Sequence, residues 1–145
     1  ACEKGNWMLW LAGKLSGPSG NSKRRKLVLA ACECAQISLA YVKPGEKRPA
    51  EALKIATAWA MGEKVTLDEV KAAAADAADA AYAADAAYSA YAAAAYAAAA
   101  AYAADAAAAY AAAADAAYAA ADADRKKVLK QCADIVRKYY PSAPR

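Results

Sequence analysis

From Lys71 to Ala123 the chain is built almost entirely from three residue types. Those 53 residues hold 38 Ala, 7 Tyr and 6 Asp, with Lys71 and Ser89 as the remainder. Gly and Pro are absent from the stretch, and so are Leu, Ile, Val, Met and Trp. Alanine is the strongest helix former because its methyl group loses no rotamer freedom on ordering. The stretch therefore predicts helix, and its missing aliphatic side chains predict a helix that approaches its neighbours closely, with tyrosine rings as its main bulk. A single unbroken helix of this length would span about 80 Å at 1.5 Å per residue. A compact domain of 145 residues is far shorter, so one or more turns are expected inside the run. Its composition does not mark where.

The chain length fits one domain over residues 1–145, with enough residues to bury a core. Apolar content is 61%, but alanine dominates it, so the apolar area per residue is modest. The recurring Asp residues interrupt the Ala run, and nowhere do about 18 bulky apolar residues occur in a row. No membrane span and no signal peptide are expected. The numbering starts at Ala1, which suggests a processed start or an incomplete chain.

The net charge of +4 conceals three blocks. Residues 1–65 carry eleven Lys/Arg against five acids, residues 66–124 one Lys against nine acids, and residues 125–145 seven Lys/Arg against one acid. An acidic middle that folds against basic ends is the simplest reading. Nucleic-acid binding would need a continuous basic face, for which Lys23, Arg24, Arg25 and Lys26 are the only candidates. No nucleic-acid partner is expected.

Histidine is absent, which removes the commonest general base and zinc ligand. No Ser/His/Asp triad can be assembled. None of the glycines forms a phosphate loop followed by Lys-Ser/Thr. Cys32 and Cys34 point about 200° apart on a helix and cannot chelate one ion together. With Cys2 and Cys132 they read as free thiols acting as small hydrophobes, in keeping with a reducing, cytoplasmic compartment. Asp76 and Asp79 lie one helical turn apart, but no second cluster converges on them in the sequence, so they read as solubilising charges. The expectation is no enzyme, no catalytic residue, no cofactor and no metal.

Helix punctuation is clear outside the run. Asn6 is placed to cap a short helix bearing Trp7, Met8, Trp10, Leu11 and Leu15; the two tryptophans read first as core. The breakers from Ser16 to Ser22 end it. A second helix, roughly residues 23–42, repeats apolar residues at helical spacing: Leu27, Ala31, Cys34 and Ala35, Ser38 and Val42, flanked by Val28, Cys32 and Leu39. Pro49 suits the first turn of a third helix, which buries Ala52, Leu53, Ala56 and Trp59 or Ala60 and stops at Gly62. Thr66 and Glu69 form a capping box that starts a fourth helix. A C-terminal helix over about 125–140 carries the stripe Val128, Cys132, Ile135, Val136 and Tyr139, with Asp122 and Asp124 available to cap it. The fold class is all-α: a multi-helix bundle with close-packed Ala/Tyr-rich helices, residues 67–123 forming a long helix or antiparallel helices.

The run also has phase. At 100° per residue from Tyr82, the rings of Tyr82, Tyr88, Tyr91, Tyr96, Tyr102, Tyr110 and Tyr118 fall within one half of the helical wheel. Asp76, Asp79, Asp105, Asp115 and Asp122 fall in the other half, and Asp85 departs from the pattern. This predicts a tyrosine face that packs and an aspartate face that is solvated. Tyrosine offers large, rigid area with a polar tip, so these seven residues are the candidate partner-binding face.

Residues 25–42, RKLVLAACECAQISLAYV, and 45–63, GEKRPAEALKIATAWAMGE, carry a family pattern. Its parts are Cys34-Ala35 within a helix, Arg48-Pro49 closing a loop, Ala52-Leu53, and Trp59 through Gly62-Glu63. The segment resembles the alanine-rich putative immunity proteins of bacterial toxin–immunity loci and of phage and prophage genomes, which also run on into long Ala-rich helices. The resemblance covers residues 24–63 by motif and the rest by composition. It implies an all-helical protein that binds and blocks a toxin, and it carries over no binding residues. The helices of this chain use Tyr and Asp where more varied, His- and Arg-containing ones are expected.

Three function classes follow. The first is a non-enzymatic protein-binding module of the immunity kind, whose tyrosine or acidic surface meets a protein partner. The alternative is a self-associating structural protein, forming oligomers or filaments through its close-packing Ala surface and alternating charge blocks. Ice binding ranks last: Tyr91 and Tyr102 lie 11 residues apart, and Tyr88/Tyr110 and Tyr96/Tyr118 twice that, but the run has no threonine and its rings would spoil a flat face.

Overall fold

The structure, a computed structural model, describes residues 5–15, 22–42, 44–83 and 122–142. The described residues form helices joined by short turns and contain no strand. Five α-helices are seen: α1 (Gly5–Leu15), α2 (Ser22–Gln36), α3 (Arg48–Met61), α4 (Leu67–Ala83) and α5 (Asp122–Tyr139). A 3-10 segment (Ile37–Tyr41) continues α2. Residues 84–121 lie outside the described residues, and with them the question of where the Ala run turns.

Helix α2 is the centre of the packing, because it buries two faces against different neighbours. Leu27, Ala30, Ala31 and Cys34 join Met8, Leu9 and Ala12 of α1 and Val128, Cys132, Ala133 and Val136 of α5 in one cluster. Val28, Cys32 and Ala35 join Ala52, Leu53, Ala56, Trp59 and Ala60 of α3 and Val70, Ala73, Ala74 and Ala77 of α4 in the other. On a helical wheel the two sets on α2 are centred about 115° apart, which explains why its apolar residues cover more than half the circumference. Cys32 and Cys34 accordingly serve opposite clusters, and both thiols are buried.

Boundaries follow local chemistry. Pro49 lies in the first turn of α3, where its missing N–H costs nothing. Gly62 ends α3 in the left-handed region at φ 87° and donates its N–H to the Ala58 and Trp59 carbonyls. A side chain at Gly62 would meet the Arg25 guanidinium at 2.9 Å. That guanidinium terminates a flexible chain and can move, so backbone strain dominates: Gly62→Ala is expected to cost about 1 kcal/mol, read from urea denaturation. The capping box forms as the sequence predicts. The Thr66 N–H and hydroxyl donate to Glu69 Oε2 at 2.7 and 2.9 Å, and the Glu69 N–H donates to Thr66 Oγ1 at 3.2 Å.

Three local expectations need correction. Helix α1 begins at Gly5, so Asn6 sits in its first turn instead of capping it. The second helix is α only to Gln36; Ile37–Tyr41 tighten into 3-10 geometry, closed by the Val42 N–H on the Leu39 carbonyl at 3.2 Å. Such tightening is common where a helix approaches a turn, here the Pro44-Gly45 turn. Asp122 and Asp124 both lie within helix α5 (Asp122–Tyr139) instead of capping it.

Candidate functional site

The tyrosine face can be followed only to its edge. Tyr82 lies in the last turn of α4, its side chain is not among those described, and Tyr88, Tyr91, Tyr96, Tyr102, Tyr110 and Tyr118 lie outside the described residues. The phase of α4 itself is informative. Val70, Ala73, Ala74 and Ala77 are buried and fall in the same half of the wheel as the tyrosines, whereas Asp76, in the opposite half, is exposed. Over the described turns, the tyrosine half is the packing half.

The motif residues turn out to be architectural. Cys34 and Ala35 face the two clusters on α2, and Ala52, Leu53 and Trp59 fill the second one. Arg48 opens α3 and is clasped by Glu46, with Nε–Oε1 2.9 Å and Nη2–Oε2 2.5 Å. The Arg25 guanidinium stacks 5.6 Å from the centre of the Trp59 ring, beside Gly62. These contacts tie α2, α3 and the α3–α4 turn together, and the pattern therefore reads as a fold signature.

The basic run does not form one face. Arg24 is buried, and its Nη1 donates to the Gly13 carbonyl at 3.3 Å. Arg25 lies on Trp59, and Lys26 lines a groove on the far side of α2.

The thiols are chemically quiet. Burial pushes the Cys32 thiol up to about 12, opposed in part by the Thr57 hydroxyl. The contact with Cys132 and then burial hold the Cys34 thiol well above its ordinary range, and it donates to the Cys132 carbonyl at 3.9 Å. Thiols in this state are poor nucleophiles and metal ligands. Among the described residues no group of three His, Cys, Asp or Glu is placed to hold a metal ion. No described helix is long and apolar enough to cross a membrane.

Two polar clusters decorate the bundle. Glu33 of α2 accepts from Lys138 Nζ at 2.7 Å and from the Tyr139 hydroxyl, linking α2 to the end of α5. Glu46 is pulled down to about 2 by its hydrogen bonds from Arg48, and Glu69 is lowered by those from Thr66. Depressed carboxylates contribute stability that is complete above their ordinary value of 4.5 and is lost as the pH falls toward 2. The melting temperature is therefore expected to decline between pH 4.5 and 2. Glu46→Gln should flatten part of that decline, a comparison that circular dichroism melts can make.

Sequence reasoning missed the surface of α1. Trp7 and Trp10 are not core: they are 53% and 39% exposed. The buried stripe of α1 is Met8, Leu9 and Ala12, and at 100° per residue Trp7 and Trp10 lie well over a quarter-turn from its centre. The helical wheel carried that signal in the sequence, since it sets both indoles off the buried stripe. Their rings meet edge to face at 6.2 Å between centroids, and Lys14 Nζ sits 5.8 Å from the Trp10 ring. Beside them, Met8, Leu11 and Leu15 of α1 and Val136, Tyr139 and Tyr140 of the chain's end line a groove of about 370 Å³.

Fold and surfaces together define an all-helical protein whose described helices pack around a two-faced central helix. Residues 17–142 match the model of the Imm-5 like putative immunity protein family. The chain belongs to that family, in agreement with the resemblance carried by residues 24–63. No curated protein and no solved structure matches it.

Proposed function

We propose that this protein acts by binding a toxin protein and neutralising it, without catalysing a reaction. The observation that carries this reading is the family match over residues 17–142. The acidic block of residues 66–124 supports it, since excess negative charge suits a basic partner and speeds its capture. The proposed contact face is Tyr82, Tyr88, Tyr91, Tyr96, Tyr102, Tyr110 and Tyr118, whose rings offer rigid area and whose hydroxyls offer hydrogen bonds.

Co-expression with a toxin encoded beside its own gene provides the test. The protein should restore growth and co-purify with the toxin, and absence of both protection and complex would sink the reading. Tyr→Phe exchanges refine it, because they retain ring volume and remove only the hydroxyl. Weaker toxin binding at unchanged melting temperature would assign the rings to the contact face. If Tyr→Ala lowers the melting temperature while Tyr→Phe leaves binding intact, the rings belong to the packing instead.

A further inference from the structure

Exposed large apolar side chains are concentrated on one helix. Among the described residues four stand out, Trp7, Trp10, Leu15 and Met61, and three of them belong to α1. Helix α1 also precedes the span matched by the family model, so its surface is not part of the shared motif. Leu11 and Leu15 form one wall of the groove against Val136, Tyr139 and Tyr140. At 100° per residue, Trp7 and Lys14 follow directly on from Leu11 around the helix, with Trp10 beyond them. Groove and aromatic pair are therefore one continuous surface.

Among the described residues that line the groove, the charge is of one sign. The helix ends at the groove are answered within their own last turns, by Lys14 on α1 and by Arg137 and Lys138 on α5. Lys138 is further engaged by Glu33, and Arg137 by Asp134 at 2.7 Å. Lys26 is the one charged residue lining the groove. It is exposed and makes no ion pair among the described residues. A volume of about 370 Å³ lies at the small end of ligand clefts, and its apolar walls suit a bulky side chain from a partner.

We infer that the α1 surface and the groove between α1 and the end of α5 form a docking site for an acidic segment of a partner protein, which seats one large aliphatic or aromatic side chain in the groove and sets a carboxylate against Lys26. Trp7 and Trp10 extend the contact beyond the groove, as exposed tryptophans do at binding hot spots. This site does not depend on the partner being a toxin, and it is separate from the tyrosine face.

Panning a phage-displayed library of random 12-residue peptides on the full chain reads the occupant directly. Enriched peptides are expected to place Leu, Ile, Phe or Trp next to Asp or Glu. Leu15→Ser and Lys26→Glu should each weaken their binding at least tenfold, while Lys26→Arg retains it. Both sites are exposed, so melting temperatures should stay unchanged and a folding defect is separable from a lost contact. Enrichment of basic peptides, binding indifferent to both variants, or no enrichment above an uncoated support would overturn the assignment. A dimer in light scattering that Leu15→Ser dissolves would give the face to a second copy. Binding to phosphatidylglycerol vesicles lost with Leu15→Ser would give it to a lipid surface. Either result would also overturn the assignment.

Discussion

Trp59→Ala is expected to remove about 3–5 kcal/mol of stability, most of what a domain with so little large apolar bulk can hold in reserve. The second cluster has twelve buried members, and seven of them are alanines: Ala35, Ala52, Ala56, Ala60, Ala73, Ala74 and Ala77. Alanines on packed helices have no longer side chain to swing into a void, so the cavity left by the indole cannot collapse. The substitution also strips the Arg25 guanidinium of the ring it covers, a contact worth about 0.5–1 kcal/mol at an exposed site. Urea denaturation followed by circular dichroism measures the total. Trp59→Phe should recover most of it, and a loss below about 1 kcal/mol for the alanine variant would mean that the ring does not support the core.

The second large effect runs in the opposite steric direction. Ala77 is fully buried on α4, in the cluster that joins α2, α3 and α4. Ala77→Leu adds three carbons where the helices approach each other over methyl groups, and should cost about 1–3 kcal/mol by overpacking. Ala75 is exposed on the same helix. Leucine and alanine differ little in helix propensity, so Ala75→Leu should shift stability by less than about 0.5 kcal/mol. Equal effects at the two positions would show that alanine is present only as a helix former. A large effect confined to Ala77 would show that its small size is what the packing requires.

The same contrast explains what was legible beforehand. Gly62, Pro49 and the Thr66–Glu69 box act through backbone geometry and hydrogen bonds within a few residues, so sequence spacing alone located the ends of α3 and the start of α4. The buried positions Leu27, Ala31, Cys34, Leu53 and Val136 repeat at the helical period, which makes them readable in the same way. The exposure of the α1 tryptophans was readable only from the wheel and not from their bulk, because a large apolar residue carries no record of which neighbour is available to cover it. Helix α1 buries Met8, Leu9 and Ala12 against α2 and α5 and leaves its indoles outside. The Lys23–Lys26 run dispersed for a related reason: Arg24 turns inward to the Gly13 carbonyl and Arg25 onto Trp59.

The family pattern was legible too, yet its meaning changed. Cys34-Ala35, Arg48-Pro49, Ala52-Leu53 and Trp59 through Gly62 carried the family resemblance, and in three dimensions they hold helices together.

By itself, the sequence determined the helical class, the end of α3, the start of α4 and the buried stripes of α2, α3 and α5, because propensity, capping and periodicity are local properties of a chain. The family was legible separately, as a motif resemblance over residues 24–63 that the family match bears out. Only the tertiary structure decided that α2 divides its apolar residues between two clusters, and that α1 meets the end of α5 at a groove beside two exposed tryptophans. Those outcomes depend on which helices meet across long sequence separations, such as Cys34 with Cys132 and Glu33 with Lys138, and no short-range pattern encodes them.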